Sequence, residues 1–472
     1  MTQRLDGRSD YGHWVPQIGT IFGNMWMGDG VTSKVQAGNW HRRIWRLAMP
    51  MIISNISVPL LGAVDTAVMG HLPDPAYLGA VAIGALIFSY VYWGFGFLRM
   101  STVGMTAQAF GGGDETGFQT VLYRAGLIAF GLAAAIILLQ QPIAMLSFNL
   151  LSASDQVEDL AHRYFLIRVW GAPAALATFV ILGWFLGQED ARTPLAIQVV
   201  TNGINIALDL LFVMGLGWGV DGVAAATLIA EYAGFLLGGF LVLRRLARMG
   251  ERLVPDRSLF ALHEFRSMVA INRDIFIRTF CLLTAFAIFT AQGAKMGDVI
   301  LAANAVLLNF LTFSSHALDA FAHAAEALVG GAKGRRDRAG FHAASKTAML
   351  WGAGIAAAAS VLFLVTGPYI IDGLTGITEV RETAYTYLFW AAAMPIVSVW
   401  CFTLDGIFIG ATRSADLRNG MVITLIGYLA ALYVLESAYG NHGLWASIIV
   451  LMVLRGVTLG LRYPALLRSI DG

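Results

Sequence analysis

The sequence predicts an all-α membrane protein: twelve transmembrane helices in two pseudo-symmetric halves of six. Three observations predict it. The 472 residues are 57% hydrophobic and only 13% charged, with 52 glycines, more apolar surface than one soluble core can hide. The apolar residues fall into twelve segments, each about 20 residues or longer, the length that crosses a bilayer as a helix. The second half of the chain repeats the first at a spacing of about 220 residues.

In chain order the spans are placed at 44–70, 77–101, 120–141, 160–186, 195–216, 221–243, 268–293, 299–328, 344–366, 384–410, 419–437 and 442–463. Runs this long, rich in Ala, Leu, Val, Gly and Ile, favour helices over the alternating ten-residue strands of a membrane barrel. Before them lies a polar arm, 1–43, whose IFGNMWM stretch (21–27) is too short for a signal core, so no cleaved signal peptide is expected. The expected organisation is a cytosolic arm at 1–43, an N-terminal lobe at 44–243, a charged cytosolic linker at 244–267 (RRLARMGERLVPDRSLFALHEFR runs from its start nearly to its end) and a C-terminal lobe at 268–472.

The repeat is read from two pairs of segments. FLGQEDARTPL (185–195), closing span 4, corresponds to FIGATRSADLR (408–418), closing span 10, and GWGVDGVAAATLIAEY (217–232) corresponds to GNHGLWASIIVLMVLR (440–455). Six helices separate the copies, so both halves have the same orientation. Parallel repeats about an axis along the membrane normal are one design used for alternating access.

Lys and Arg crowd one side: the N-terminal arm, the turns after spans 4, 6, 8 and 10, and the C-terminus. The other side carries only Arg163, Lys295 and Arg381. The excess of positive charge on cytoplasmic loops then places both termini in the cytosol of a multi-pass inner (cytoplasmic) membrane protein. Cys281 and Cys401 fall inside spans, so no disulfide framework is expected.

Three motifs carry a resemblance. WRLAMPMIISNISVPLLGAVDTAVMGHL (45–72), YWGFGFLRMSTVGMTAQAFG (92–111) and INRDIFIR (271–278) resemble the DinF branch of the multidrug and toxic compound extrusion (MATE) transporters, and the likeness runs from Ile44 to the C-terminus. The resemblance implies two six-helix lobes around a central cleft. It also implies export of organic, often cationic, compounds driven by inward flow of H+ or Na+.

An ionised aspartate at the bilayer centre costs about 2.5–3.5 kcal/mol even on the lenient insertion scale, so Asp65 in span 1 needs a reason. Measured from the outer ends of their spans at about 1.5 Å per residue, Asp65, Asn205, Asp209, Thr227 and Tyr164 share one outer-half depth. Asn205 and Asp209 are one turn apart on one face. Their convergence points to a cation or proton site in the N-terminal lobe. The site implied by the resemblance uses an Asp on span 1, an Asn and Asp one turn apart on span 5, a Thr on span 6 and a Tyr on span 4, and these five match it. Against this stands the plainer role of inter-helix hydrogen bonding. Arg168, one turn beyond Tyr164, is a candidate counter-ion for Asp209 or Asp65, which would leave the other carboxylate to carry the proton. Asp65 is the favoured carrier, because Pro50 and Pro59 on its helix each remove a backbone donor and permit a bend coupled to protonation.

A second charged set lies in the cytoplasmic half: Arg99, Arg273, Asp274, Arg278, Asp319, Glu326 and Asp405. Static ion pairing is the plain expectation and an inner gate the sharper one. His316, Asp319, His323 and Glu326 share an arc of span 8, but successive ligands climb too far along the helix to hold one metal, so a cleft-lining face with pH-sensitive His is expected and no metal site. The MATE branch that uses Na+ has acidic residues deep in its C-terminal lobe. Here Asp274 and Asp405 lie near the cytosolic ends, which speaks against Na+ there. Gly217, Gly219 and Gly222 spell GxGxxG, but in a turn with no strand before it, so no dinucleotide is expected. No Walker A motif occurs, which removes ATP as the energy source. Phe88, Tyr90, Tyr92, Trp93, Phe95 and Phe97 crowd span 2, as lipid-facing or packing residues or as an apolar lining that stacks on planar cations.

The expected protein is therefore not an enzyme. It is a monomeric, H+-coupled antiporter of amphipathic organic compounds in the lipid bilayer, needing no cofactor beyond its coupling ion and no nucleic-acid partner. The same machine coupled to Na+ is the first rival. A flippase for a lipid-linked precursor, using Arg99, Arg273 and Arg278 for a pyrophosphate, is the second, and a passive channel the third.

Overall fold

The computed structural model describes residues 37–70, 75–151, 154–249 and 261–470. The arm up to residue 36 and the linker residues 250–260 lie outside the described residues, as do the side chains of Pro59 and Asp65. Every long element among the described residues is helical: α1 Ala37–Gly70, α2 Pro75–Gly94, α3 Phe97–Gly112, α4 Glu115–Leu138, α5 Gln140–Leu150, α6 Asp155–Arg168, α7 Ala172–Gly187, α8 Arg192–Asp209, α9 Gly219–Arg248, α10 Leu262–Lys295, α11 Asp298–Gly334, α12 Arg338–Leu374, α13 Thr378–Gly410, α14 Ser414–Tyr439 and α15 Asn441–Arg468. Among the described residues, eleven helical stretches from Ala76 onward are long and apolar enough to cross a bilayer, and α1 precedes them.

Several expected boundaries move. α1 begins at Ala37, so the last residues assigned to the arm are helical, and Arg43 among them pairs with Glu189 at 2.5 Å. α9 runs to Arg248 and α10 starts at Leu262, narrowing the linker from both sides. Span 2 is interrupted after Gly94 and continues as α3 to Gly112. A short helix, α5, stands between spans 3 and 4. Span 4 passes through one 3-10 turn, Val169–Gly171, between α6 and α7, and α8 ends in a π-helical segment, Leu210–Gly215, directly after Asp209. α1, by contrast, runs unbroken past Pro50 and Pro59.

The repeat is present in the backbone and its offset is 223. Left-handed residues recur at it: Gly113 (φ 71°) and Arg336 (φ 55°), Glu189 (φ 60°) and Thr412 (φ 53°), Gly217 (φ 69°) and Gly440 (φ 55°), since 336 minus 113, 412 minus 189 and 440 minus 217 all give 223. Helix starts recur too. Asp114 caps α4 by accepting from Gly117 N at 2.8 Å, and Asp337 caps α12 by accepting from Gly340 N at 2.7 Å.

The halves meet at the end that carries Lys333, Arg335, Arg336 and Arg413, and they meet through glycine. A methyl group on Gly111 would run into the backbone of Gly331, one on Gly334 into the backbone of Gln108, and one on Gly330 into Ala107. At an offset of 223, Gly331 is the counterpart of Gln108, Gly334 that of Gly111 and Gly330 that of Ala107. The seam between α3 and α11 is therefore a self-matching contact, with the pseudo-two-fold axis passing between Ala107 and Gly330. Within each half a matching pair supports it. Gly183 and Gly187 of α7 lie against α3, and Gly406 and Gly410 of α13 lie against α11, small residues four apart that let helix backbones approach.

The first helix of each half reaches across this axis. Trp40, Ile44, Leu47 and Met51 of α1 are buried with Phe321, Leu328, Phe341 and Leu404 of the second half. Met268 and Ile275 of α10 are buried with Val121, Phe165 and Val180 of the first. The exchange is reciprocal and ties the halves together at the basic end.

Candidate functional site

Asn205 and Asp209 occupy the last turns of α8 and Thr227 the third turn of α9. Asn205 is 1% and Asp209 0% exposed. Asn205 Nδ2 lies 3.2 Å from Thr227 Oγ1, which itself donates to Val223 O at 2.9 Å. With the amide turned about its last bond, Nδ2 donates to Asp209 Oδ2 at 3.2 Å and the amide oxygen accepts from Thr227 Oγ1 and N, each at 3.2 Å. This second orientation satisfies both ends of the amide, since its oxygen then faces donors and its nitrogen an acceptor. Tyr164 on α6, 4% exposed, is packed against Gly84 and near Phe88. Three of the expected five thus come together as one carboxylate–amide–hydroxyl cluster, Tyr164 lies in the same half, and Asp65 falls outside the described side chains.

α8 also holds α1. Asn202, one turn before Asn205 and Ile206, donates to Ser57 Oγ at 3.0 Å and Ser57 O at 3.3 Å, two residues before Pro59. The π-helical turn that follows Asp209 is a form that recurs at functional sites.

Among the described residues Arg168 pairs with Glu231, a partner the sequence did not suggest: its guanidinium lies 2.8 Å from Glu231 Oε1 on α9 and 5.1 Å from the Phe88 ring centre. Glu231 was absent from the sequence-based set, although a glutamate in the middle of span 6, one turn from Thr227, was a visible signal. The reason for the pairing is the 3-10 turn after Arg168: Gly171 has no side chain where Glu231 Oε2 stands.

The second charged set divides into three. Arg99 of α3 reaches across to α11, to Glu326 at 3.3 Å and His323 at 2.9 Å. Asp405 is held between Arg278 and Arg455, the latter at 2.5 Å, all three buried within the second half. Asp274 takes Arg418 at 2.7 Å, Arg273 at 3.0 Å and Ser414 at 3.2 Å. Of these, only the Arg99 contacts span the two halves among the described residues, so the proposed gate set is mostly internal pairing of the second half. Arg455 and Arg418 were missed because their partners lie some 50 and 144 residues away in sequence. Asp319 is half-buried on the same helix as Glu326, and Asn55 of α1 donates to His316 O at 2.9 Å. Among the described residues, no group of three or more His, Cys, Asp and Glu is placed to hold a metal.

The span 2 aromatics take separate places. Phe88 and Phe97 are in the core, and Trp93 is exposed. Tyr90 and Phe95 line an apolar cavity of about 410 Å³ with Leu132, Phe276 and Phe280, between α2, α4 and α10.

Comparison with known proteins bears on this geometry. The MatE family model matches residues 50–211 and again 275–435, one copy in each half. The chain is 43% identical to DNA damage-inducible protein F of Escherichia coli strain K12 over 89% of this chain and 91% of that protein. It is 26% identical to a probable multidrug resistance protein NorM of Bradyrhizobium diazoefficiens over 90% of this chain and 94% of that one. Among solved structures, a variant of the Vibrio cholerae MATE transporter VcmN superposes with a TM-score of 0.82 at 20% identity, covering 92% of this chain and 98% of that one. A MOP superfamily transporter from Pyrococcus furiosus also superposes at 0.82, with 18% identity, covering 94% of this chain and all of that one. At these identities the structures speak for the fold alone.

Proposed function

From the chain's membership of the MatE family of multidrug efflux transporters, we propose that it is an H+-coupled antiporter of the inner membrane, both termini cytosolic, that exports amphipathic, often cationic organic compounds. It works by alternating access between two six-helix lobes, residues 44–243 and 268–472. The observation that carries the coupling is the fully buried Asp209 beside the Asn205–Thr227 pair. A carboxylate buried within a span, with an amide one turn away to donate to its oxygen, is placed to hold or release a proton inside the bundle.

Asp65 and Asp209 take the incoming proton between them, Asp65 being the favoured carrier, with Tyr164 closing the site. The response travels through α8, whose Asn202 grips α1 at Ser57. Protonation lets α1 bend at Pro50 and Pro59, where backbone donors are missing. The glycine seam and the Arg99–Glu326 pair are the closed state of the inner gate. The arginines that a lipid pyrophosphate would need are already engaged, Arg99 with Glu326 and Arg278 with Asp405, which weighs against the flippase reading.

The test is efflux of ethidium from reconstituted vesicles, with pH and Na+ gradients imposed separately, for the natural protein and Asp65→Asn. Transport on the pH gradient alone, lost in the variant, is expected. Transport that requires Na+ reassigns Asp65, Asn205 and Asp209 as Na+ ligands.

A further inference from the structure

The Arg168–Glu231 pair stands outside the proposed coupling step, and burying it is costly. Both side chains are mostly buried, 8% and 17% exposed, in the middle of their spans, where an ionisable group is costly and usually functional. The pair is also incompletely satisfied. Arg168 Nε, Glu231 Oε2 and the nearby Tyr92 hydroxyl have no hydrogen-bond partner among the described residues, whereas buried polar atoms are normally paired. A lock kept only for stability would be expected to close these bonds or be replaced by apolar packing.

Its placement relates it to the cation cluster. Glu231 follows Thr227 by one turn of α9, about 6 Å along the axis, and Arg168 follows Tyr164 by one turn of α6. The groups that face it from the packed elements are Tyr92 on α2, Tyr164 and Arg168 on α6 and Tyr232 on its own helix. α8 contributes Asp209 as the titratable group of its buried end, and α7 carries no titratable side chain. Tyr232 Oη donates to Trp170 O at 3.0 Å, so α9 is fastened to the 3-10 turn right beside the pair.

We infer that Glu231 is a second proton-binding site of the first half, in series with the Asp209 cluster. The proton adds to Oε2, the oxygen that lacks a partner. The ion pair becomes a neutral acid beside a guanidinium that stays cationic, and the charge of the site rises by one. Arg168, steadied over Phe88, is the counter-ion that holds Glu231 ionised until the proton arrives, and its release acts on the 3-10 turn of span 4. The inference rests on reading Asp209 as part of a cation site.

The experiment is the pH-induced infrared difference spectrum of the full-length protein in lipid nanodiscs between pH 5 and 9, which needs no transported compound. The natural protein is compared with Glu231→Gln and Asp209→Asn. The protonated-carboxyl band is expected to lose one component in Glu231→Gln and a different one in Asp209→Asn. A Glu231→Gln spectrum that superposes on the natural one, with the Asp209 component intact, makes the pair a permanently ionised structural lock and overturns the inference while leaving the proposed function standing. Loss of the Glu231 component with no effect of Asp209→Asn fails the reading of the Asp209 cluster instead. If Glu231→Gln does not fold, Glu231→Asp serves in its place: a displaced component supports the inference, and an unmoved band contradicts it.

Discussion

The two halves share a backbone and differ in what they bury. At an offset of 223 three pairs of left-handed residues, the aspartate caps and the glycine pairs coincide. The buried chemistry does not. Asn205, Asp209, Thr227, Arg168 and Glu231 of the first half correspond to Tyr428, Leu432, Val450, Ala391 and Leu454. Asp405, Arg278 and Arg455 of the second correspond to Leu182, Asn55 and Tyr232. Tyr164 and Tyr387 alone among these keep their identity. Symmetry is thus retained where helices touch backbone to backbone, since a methyl there would force them apart. It is released inside each half, where one buries Asp209 beside the Asn205 amide and the other a carboxylate, Asp405, held between two arginines.

The largest effects should separate those two carboxylates. Asp209→Asn is expected to abolish gradient-driven dye efflux while the protein keeps its melting temperature. Asp405→Asn is expected to do the reverse first. It leaves two buried guanidiniums short of their partner, a loss of about 3–5 kcal/mol, seen as a lowered melting temperature and a poor yield of monodisperse protein. A folded Asp405→Asn that still binds substrate but has lost its pH dependence would move the coupling site to the second half.

A smaller effect should come from the seam. Gly111→Val and Gly334→Val, equivalent in the repeat, should each prevent the close approach of α3 and α11. Both should raise labelling of a cysteine introduced at Thr412, from the side that carries Lys333 and Arg413, several-fold and slow efflux. Labelling that rises for one and not the other would deny the self-matching contact. The smallest effect should be at the caps. Asp114→Ala and Asp337→Ala should each cost about 0.5–2 kcal/mol and lower the melting temperature by similar amounts without changing transport.

Much of this was legible in the sequence. The spans follow from hydropathy, the repeat from FLGQED and FIGATR, and the cluster from the common depth of Asn205, Asp209 and Thr227. Helix interruptions were not, because a Gly94–Phe95–Gly96 break and a π turn after Asp209 depend on how neighbours pack rather than on local preference. The partner of Arg168 was not either. Depth along a helix placed it near Asp209, but the side of α6 it faces was set by the 3-10 turn at Val169–Gly171. The crossing of α1 and α10 into opposite halves involves contacts between residues hundreds apart, which periodicity along one helix cannot report.

Whether coupling resides in the first half is decided by pH-gradient-driven ethidium efflux from vesicles holding equal amounts of folded Asp209→Asn or Asp405→Asn protein. No efflux from Asp209→Asn, with residual pH-driven efflux from whatever Asp405→Asn folds, is the predicted result. Full efflux from Asp209→Asn alongside none from Asp405→Asn would contradict it.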